Sequence, residues 1–132
     1  MSTSTVHASL GDIPYQVTLS DGLHQWLADE PQALGGGDGG PTPHQLLLSA
    51  LGACTAITLS MYARRKAMPL SGIGVELSFA DDKAAPVRMV RNIRLSGELS
   101  AEQRQRLLEI ANACPVHKLL TGEIAIASQL LL

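Results

Sequence analysis

Between Leu46 and Ala63 the chain reads LLLSALGACTAITLSMYA, 18 residues without a charge, and Arg64-Arg65-Lys66 follow at once. Thr42-Pro43-His44-Gln45, just upstream, has the form of a helix start. Thr42 suits the N-cap and Gln45 its capping-box partner, while Pro43 suits the first helical position, where its missing N–H costs nothing. A helix is therefore expected from Pro43 to about Lys66, roughly 36 Å long at about 1.5 Å per residue. Its middle is apolar all round, so every face requires burial. An uncharged run of this length lies at the short edge of a bilayer span. Four Ser/Thr residues, one Gly and four Ala within it suit a buried helix of a soluble protein instead. One small sheet covers a single face, so the opposite face is expected to meet a second copy of the chain, giving a homodimer.

Strands are expected on both sides of this helix. STVHASL and YQVTLS are β-type runs separated by Gly11-Asp12, and LHQWLAD follows the turn Ser20-Asp21-Gly22. After Pro69, Ile73, Val75, Leu77 and Phe79 alternate on one face of a strand. Asp81 to Pro86 reads as a hairpin connection. Val87, Met89, Ile93 and Leu95 alternate on the next strand, with Arg88 and Arg94 opposite. Ser100 to Gln103 is a second capping box, opening a helix whose inner stripe is Leu107, Ile110, Ala111 and Cys114. EIAIASQLLL is expected to close the chain as a strand. The order βββ-α-ββ-α-α-β has no βαβ rhythm and gives an α+β fold with antiparallel sheet. The 132 residues fit one domain, 1–132, large enough for a core without staples.

All ten Lys and Arg residues lie from Arg64 to Lys118, and the net charge is −2. An Arg-rich transit peptide and a signal with a charged n-region do not fit, so the expected location is cytoplasmic. Aromatics make up only 3%, too few for a base-stacking platform, and neither nucleic acid nor membrane is expected as a partner. Five of the eleven residues from Glu30 to Gly40 are Gly. Without a following Gly-Lys-Ser/Thr or a βαβ unit this is no phosphate loop, and a flexible loop is expected at about 32–40.

The chemistry, if any, rests on Cys54 and Cys114, 60 residues apart. Cys54 lies mid-helix in the most apolar stretch, where it is either a small buried hydrophobe or a thiol in need of an activating partner. Cys114 either completes an apolar stripe or caps a new helix that Pro115 begins. In the second case backbone N–H groups, with His117 and Lys118 nearby, favour its thiolate. Two cysteines and four scattered histidines, with no Cys-x-x-Cys, give no metal site. His44 and Cys54 are about 15 Å apart along one helix, too far for a dyad.

GPTPHQLLLSALGACTAITL, the element order and LLEIANACPVHKLL together resemble the OsmC/Ohr family over nearly the whole chain. The resemblance implies an intertwined α+β homodimer with long central helices packed between sheets of both subunits. It implies thiol-dependent reduction of organic hydroperoxides or peroxides without a cofactor. Cys54 would attack the peroxide and become a sulfenic acid, Cys114 would resolve it as a disulfide, and an external dithiol would reset the pair. Active members also use an Arg from the N-terminal strands and a Glu near the start of the long helix. This chain has no N-terminal Arg, and His44 stands at the Glu position. The resemblance is thus to a divergent OsmC-like branch. The groups available to support Cys54 are His24, His44, His117 and Arg64 or Arg65 of a partner subunit. The alternative role is a dimer that binds a small molecule or acyl group without chemistry.

Overall fold

The computed structural model describes residues 5–80 and 86–132. Two compact units make up the chain, residues 1–48 and 49–132.

The first unit is an antiparallel meander of β1 (His7–Leu10), β2 (Val17–Ser20) and β3 (Gln25–Ala28) in the order β1-β2-β3. The register pairs Ala8 with Leu19 and Thr18 with Leu27. All three expected strands are present. The β2–β3 turn is built by polar side chains. Ser20 Oγ accepts the Gly22 N–H, and Asp21 Oδ1 accepts those of Leu23 and His24. The glycine-rich segment after β3 is organised by Asp29, which is only 1% exposed. Its carboxylate accepts the N–H groups of Glu30 at 2.7 Å and Gly39 at 2.9 Å. A 3₁₀ turn at Gln32–Leu34 ends on Gly35 at φ 92°, a conformation that favours glycine. A Cβ at Gly36 would collide with the Glu30 carbonyl, so the backbone closes there only because no side chain intervenes.

α1 spans Pro43–Arg65. Thr42 Oγ1 accepts the Gln45 N–H and Gln45 Oε1 accepts the Thr42 N–H, which is the expected capping box. In the second unit α1 is accompanied by β4 (Gly72–Phe79), β5 (Met89–Ser96), α2 (Ala101–Ala111) and α3 (Pro115–Thr121). β4 and β5 form an antiparallel ladder with Val75 opposite Ile93. Ser100 caps α2 through the expected capping box with Gln103. The expected hairpin connection at 81–86 lies, except for Pro86, outside the described residues.

The core gathers Leu59, Tyr62 and Ala63 of α1 with Leu107 and Ala111 of α2, backed by Ile73, Ile93 and Leu95 of the strands. Leu59 and Leu107 are wholly buried, each contributing about 1.5–3 kcal/mol of apolar transfer free energy. The buried positions of α1, Leu51, Thr55, Leu59, Tyr62 and Ala63, recur every three or four residues and define one face. On other faces Ile57 and Met61 are 54% and 65% exposed. By length and composition α1 could cross a membrane, but here it supplies the core of an α+β unit.

The C-terminal segment departs from expectation. Among the described residues, 122–132 form neither helix nor strand, and Ile124, Ile126, Leu130 and Leu131 are exposed. Its apolar character suits a strand, but a strand exists only where another edge completes its hydrogen bonds. This segment has no ladder partner among the described residues.

Candidate functional site, a thiol pair between α1 and α3

Two local features bring the thiols together. Cys54 sits at the middle of α1 beside the buried Thr55. Cys114 follows α2 by three residues and is the N-cap of α3 at φ −56° and ψ 128°. Pro115 disfavours helical backbone in the residue before it and is preorganised for the first helical position. The helix therefore breaks at the cysteine and restarts immediately, which swings α3 toward α1.

Both cysteines are free thiols. The Val116 N–H donates to Cys54 Sγ at 3.5 Å, and Thr58 Oγ1 lies 3.9 Å from the same sulfur. Each thiol also perturbs the ionisation of the other. They differ in access: Cys114 is fully buried, while Cys54 is half-buried.

Their electrostatics diverge as well. Burial pushes the Cys54 thiol up, and so does its hydrogen bond to Cys114; the Val116 N–H and the Thr58 hydroxyl only partly oppose this. Burial also works against ionisation of Cys114. There the Cys54 thiol, the N–H groups of His117 and Val116 and the Thr55 hydroxyl outweigh it, so its pKa is lowered. Of the two, Cys114 is therefore the thiol that gives up its proton more readily.

A cation that the sequence reading overlooked anchors the surroundings. Arg91 of β5 donates from Nη1 to Thr55 Oγ1 at 3.1 Å. From Nη2 it donates to Asn112 Oδ1 and His117 Nδ1, each at 3.2 Å. Because Arg cannot accept, His117 Nδ1 is the acceptor and the ring proton resides on Nε2. Burial first, then the Arg91 charge, holds His117 below its ordinary pKa and keeps it neutral. The signal was present in the alternation: Arg91 has the same parity as Met89, Ile93 and Leu95, so a charge occupies an inward position of β5. Such a charge requires partners.

The other expected supporting residues are His24, His44 and Arg64 or Arg65, the last two expected from a partner subunit. His24 is on the β2–β3 turn, with its Nδ1 2.9 Å from Asp21 Oδ2. The backbone N–H of His24, then its ring and the Leu23 N–H, lower the Asp21 pKa to about 2. His44 is exposed in the first turn of α1. Arg64 and Arg65 are in its last turn, about 15 Å along the helix from Cys54. Arg65 stacks over the Tyr62 ring at 5.8 Å. Within the second unit, His117 joins the thiol cluster.

Beside the cluster is a cavity of about 300 Å³. Its walls are mostly apolar, including Leu51, Met89, Ile93 and Leu108, and Arg91, His117 and Thr121 provide its polar part.

Solved structures with this fold are numerous. An OsmC-like protein from Mycoplasma pneumoniae superposes with a TM-score of 0.78 at 19% identity, covering 92% of this chain and 89% of that one. An organic hydroperoxide resistance protein OsmC from Legionella pneumophila gives 0.66 at 22%, covering 92% and 91%. The organic hydroperoxide resistance protein OhrB of Bacillus subtilis gives 0.63 at 24%, covering 92% of each. No curated protein matches by sequence. Residues 35–129 match the family model described as OsmC-like protein, a span that holds both cysteines, and the chain belongs to that family.

Proposed function

We propose that the protein is a thiol-dependent, peroxidase-like redox protein that reduces organic hydroperoxides through Cys54 and Cys114. The observation that carries this reading is the Val116 N–H bond to Cys54 Sγ at 3.5 Å, which holds the start of α3, where Cys114 is the N-cap, against the middle of α1 with both thiols free. Structural likeness to organic hydroperoxide resistance proteins supports it.

In this reading Cys54, the more accessible sulfur, attacks the distal peroxide oxygen. The O–O bond breaks, the alcohol leaves carrying the Cys54 proton, and Cys54 becomes a sulfenic acid. The Cys114 thiolate attacks that sulfur, expelling hydroxide and forming the disulfide. An external dithiol then supplies two electrons and restores both thiols. The lowered Cys114 pKa favours its thiolate at the resolution step. The elevated Cys54 pKa makes the first step slow at neutral pH. The protein acts as a homodimer, a proposal supported by the exposed Ile57 and Met61 on α1.

The test is to mix reduced protein with excess cumene hydroperoxide and count free thiols with time. Loss of two thiols per chain, with a Cys54–Cys114 disulfide in the peptide map, is expected. Persistence of both thiols for hours overturns the reading.

The cavity at Arg91 and His117 favours a second reading, a dimer that binds a small apolar molecule or acyl group. Native mass spectrometry of protein purified from its host would then show a retained ligand. An empty protein that consumes peroxide rapidly excludes it.

A further inference from the structure

We infer that Arg91 makes Cys114 the leaving group when the disulfide is reset, so that the incoming dithiol attacks Cys54. This rests on the thiol-pair reading above and concerns its reductive half.

The geometry restricts the approach. Cys114 is fully buried and Cys54 is not, so a nucleophile from solvent reaches the Cys54 sulfur first. The electrostatics favour the same outcome. In a thiol–disulfide exchange the sulfur better stabilised as thiolate leaves more readily. Three groups touched by Arg91 bracket Cys114: Asn112 two residues before it, His117 three after it, and Thr55 beside Cys54.

Thr55 is the link between the cation and the thiolate. Its single hydroxyl proton is given to the Leu51 carbonyl at 2.7 Å, and the same hydroxyl is among the groups that favour ionisation of Cys114. Donation from Arg91 to Thr55 Oγ1 polarises that O–H. As negative charge develops on Cys114 the hydroxyl turns from Leu51 to the sulfur. Arg91 is therefore a positioning residue that acts through Thr55. It also fixes Asn112 and His117, which flank the sulfur on the α2–α3 connection.

A thiolate of the dithiol forms a bond to Cys54 Sγ, the Cys54–Cys114 bond breaks, and its electron pair leaves on Cys114. The second thiol of the reductant, after losing its proton to solvent, displaces Cys54. The reductant departs as a cyclic disulfide and Cys54 takes a proton.

The experiment oxidises the full-length protein with diamide rather than peroxide, so peroxide reactivity is not required. The disulfide is opened with limiting 2-mercaptoethanol, quenched with N-ethylmaleimide and mapped by peptide mass spectrometry. The expected result is mercaptoethanol on Cys54 and maleimide on Cys114. In Arg91→Ala the opening rate should fall about fivefold to tenfold as the leaving group becomes more basic, with Arg91→Lys partly restoring it. Thr55→Val should slow opening similarly and Thr55→Ser should not, which keeps the test open if Arg91→Ala does not fold. Mercaptoethanol on Cys114, an even split, no disulfide with diamide, or wild-type rates in the folded variants would each overturn the inference. Correct regiochemistry in a protein inert to cumene hydroperoxide would instead defeat the peroxidase reading and leave this one standing.

Discussion

The Val116 N–H lies 3.5 Å from Cys54 Sγ, a contact between residues 62 positions apart. It ties the first turn of α3 to the middle of α1, and with it Cys114 to Cys54. The candidate chemistry follows from that junction.

The two cysteines should fail differently. With excess cumene hydroperoxide, Cys114→Ala is expected to stop at a Cys54 sulfenic acid that dimedone traps. Cys54→Ala should consume peroxide at least about tenfold more slowly than the parent, since the remaining thiol is buried. Intact-mass measurement of each variant checks both outcomes.

The pH dependence follows from the paired shifts. Cys114 is held below its ordinary value and Cys54 above it, so the first proton lost on raising the pH leaves Cys114 charged and Cys54 protonated. In Cys54→Ala the donor to Cys114 is gone, and the Cys114 pKa should rise. In Cys114→Ala the Cys54 pKa should fall toward that of an ordinary thiol. Differential alkylation of denatured, quenched samples is avoided by following thiolate absorbance at 240 nm directly, as an absorbance change of about one thiolate per transition.

Asp29 should couple the first unit to pH. The N–H groups of Gly39 and then Glu30 depress its carboxyl below 3.8, against the effect of burial. A depressed carboxylate stabilises the fold above the unfolded pKa and loses that contribution as pH falls through the folded value. Asp29→Asn should therefore lower the melting temperature at neutral pH and flatten its fall on acidification below about pH 4. Thermal melts from pH 2 to 7 test this, and parallel curves for parent and variant would contradict it.

Leu59 anchors the second unit. Leu59→Ala removes a wholly buried side chain from the α1–α2 core and should cost about 2–5 kcal/mol of unfolding free energy. Urea denaturation measures it directly.

Ile57 tests the proposed homodimer. It is 54% exposed on α1, and Ile57→Glu should shift sedimentation toward monomer with little change in circular dichroism. An unchanged dimer would place the interface elsewhere.

Much of the fold could be read from local signals because those signals are local. Both capping boxes and the break at Cys114-Pro115 depend on interactions within a few residues, and each of the three N-terminal strands pairs with its neighbour in sequence. The C-terminal strand could not be secured in this way. Ile124 and Ile126 have the character of a strand, but pairing requires a second edge that composition does not specify.

The chain's own sequence determined which thiols exist, where helices start and stop, and that α1 is too apolar for water on every side. Tertiary structure decided what surrounds the thiols. Arg91, Thr55 and His117 come from three elements separated by up to 62 residues, and no periodicity links them. Whether a sulfur ionises depends on burial, nearby charge and donated hydrogen bonds within a few ångströms. Those quantities arise only when β5, α1 and α3 are packed, which is why the cation next to this site was not apparent until the fold placed it.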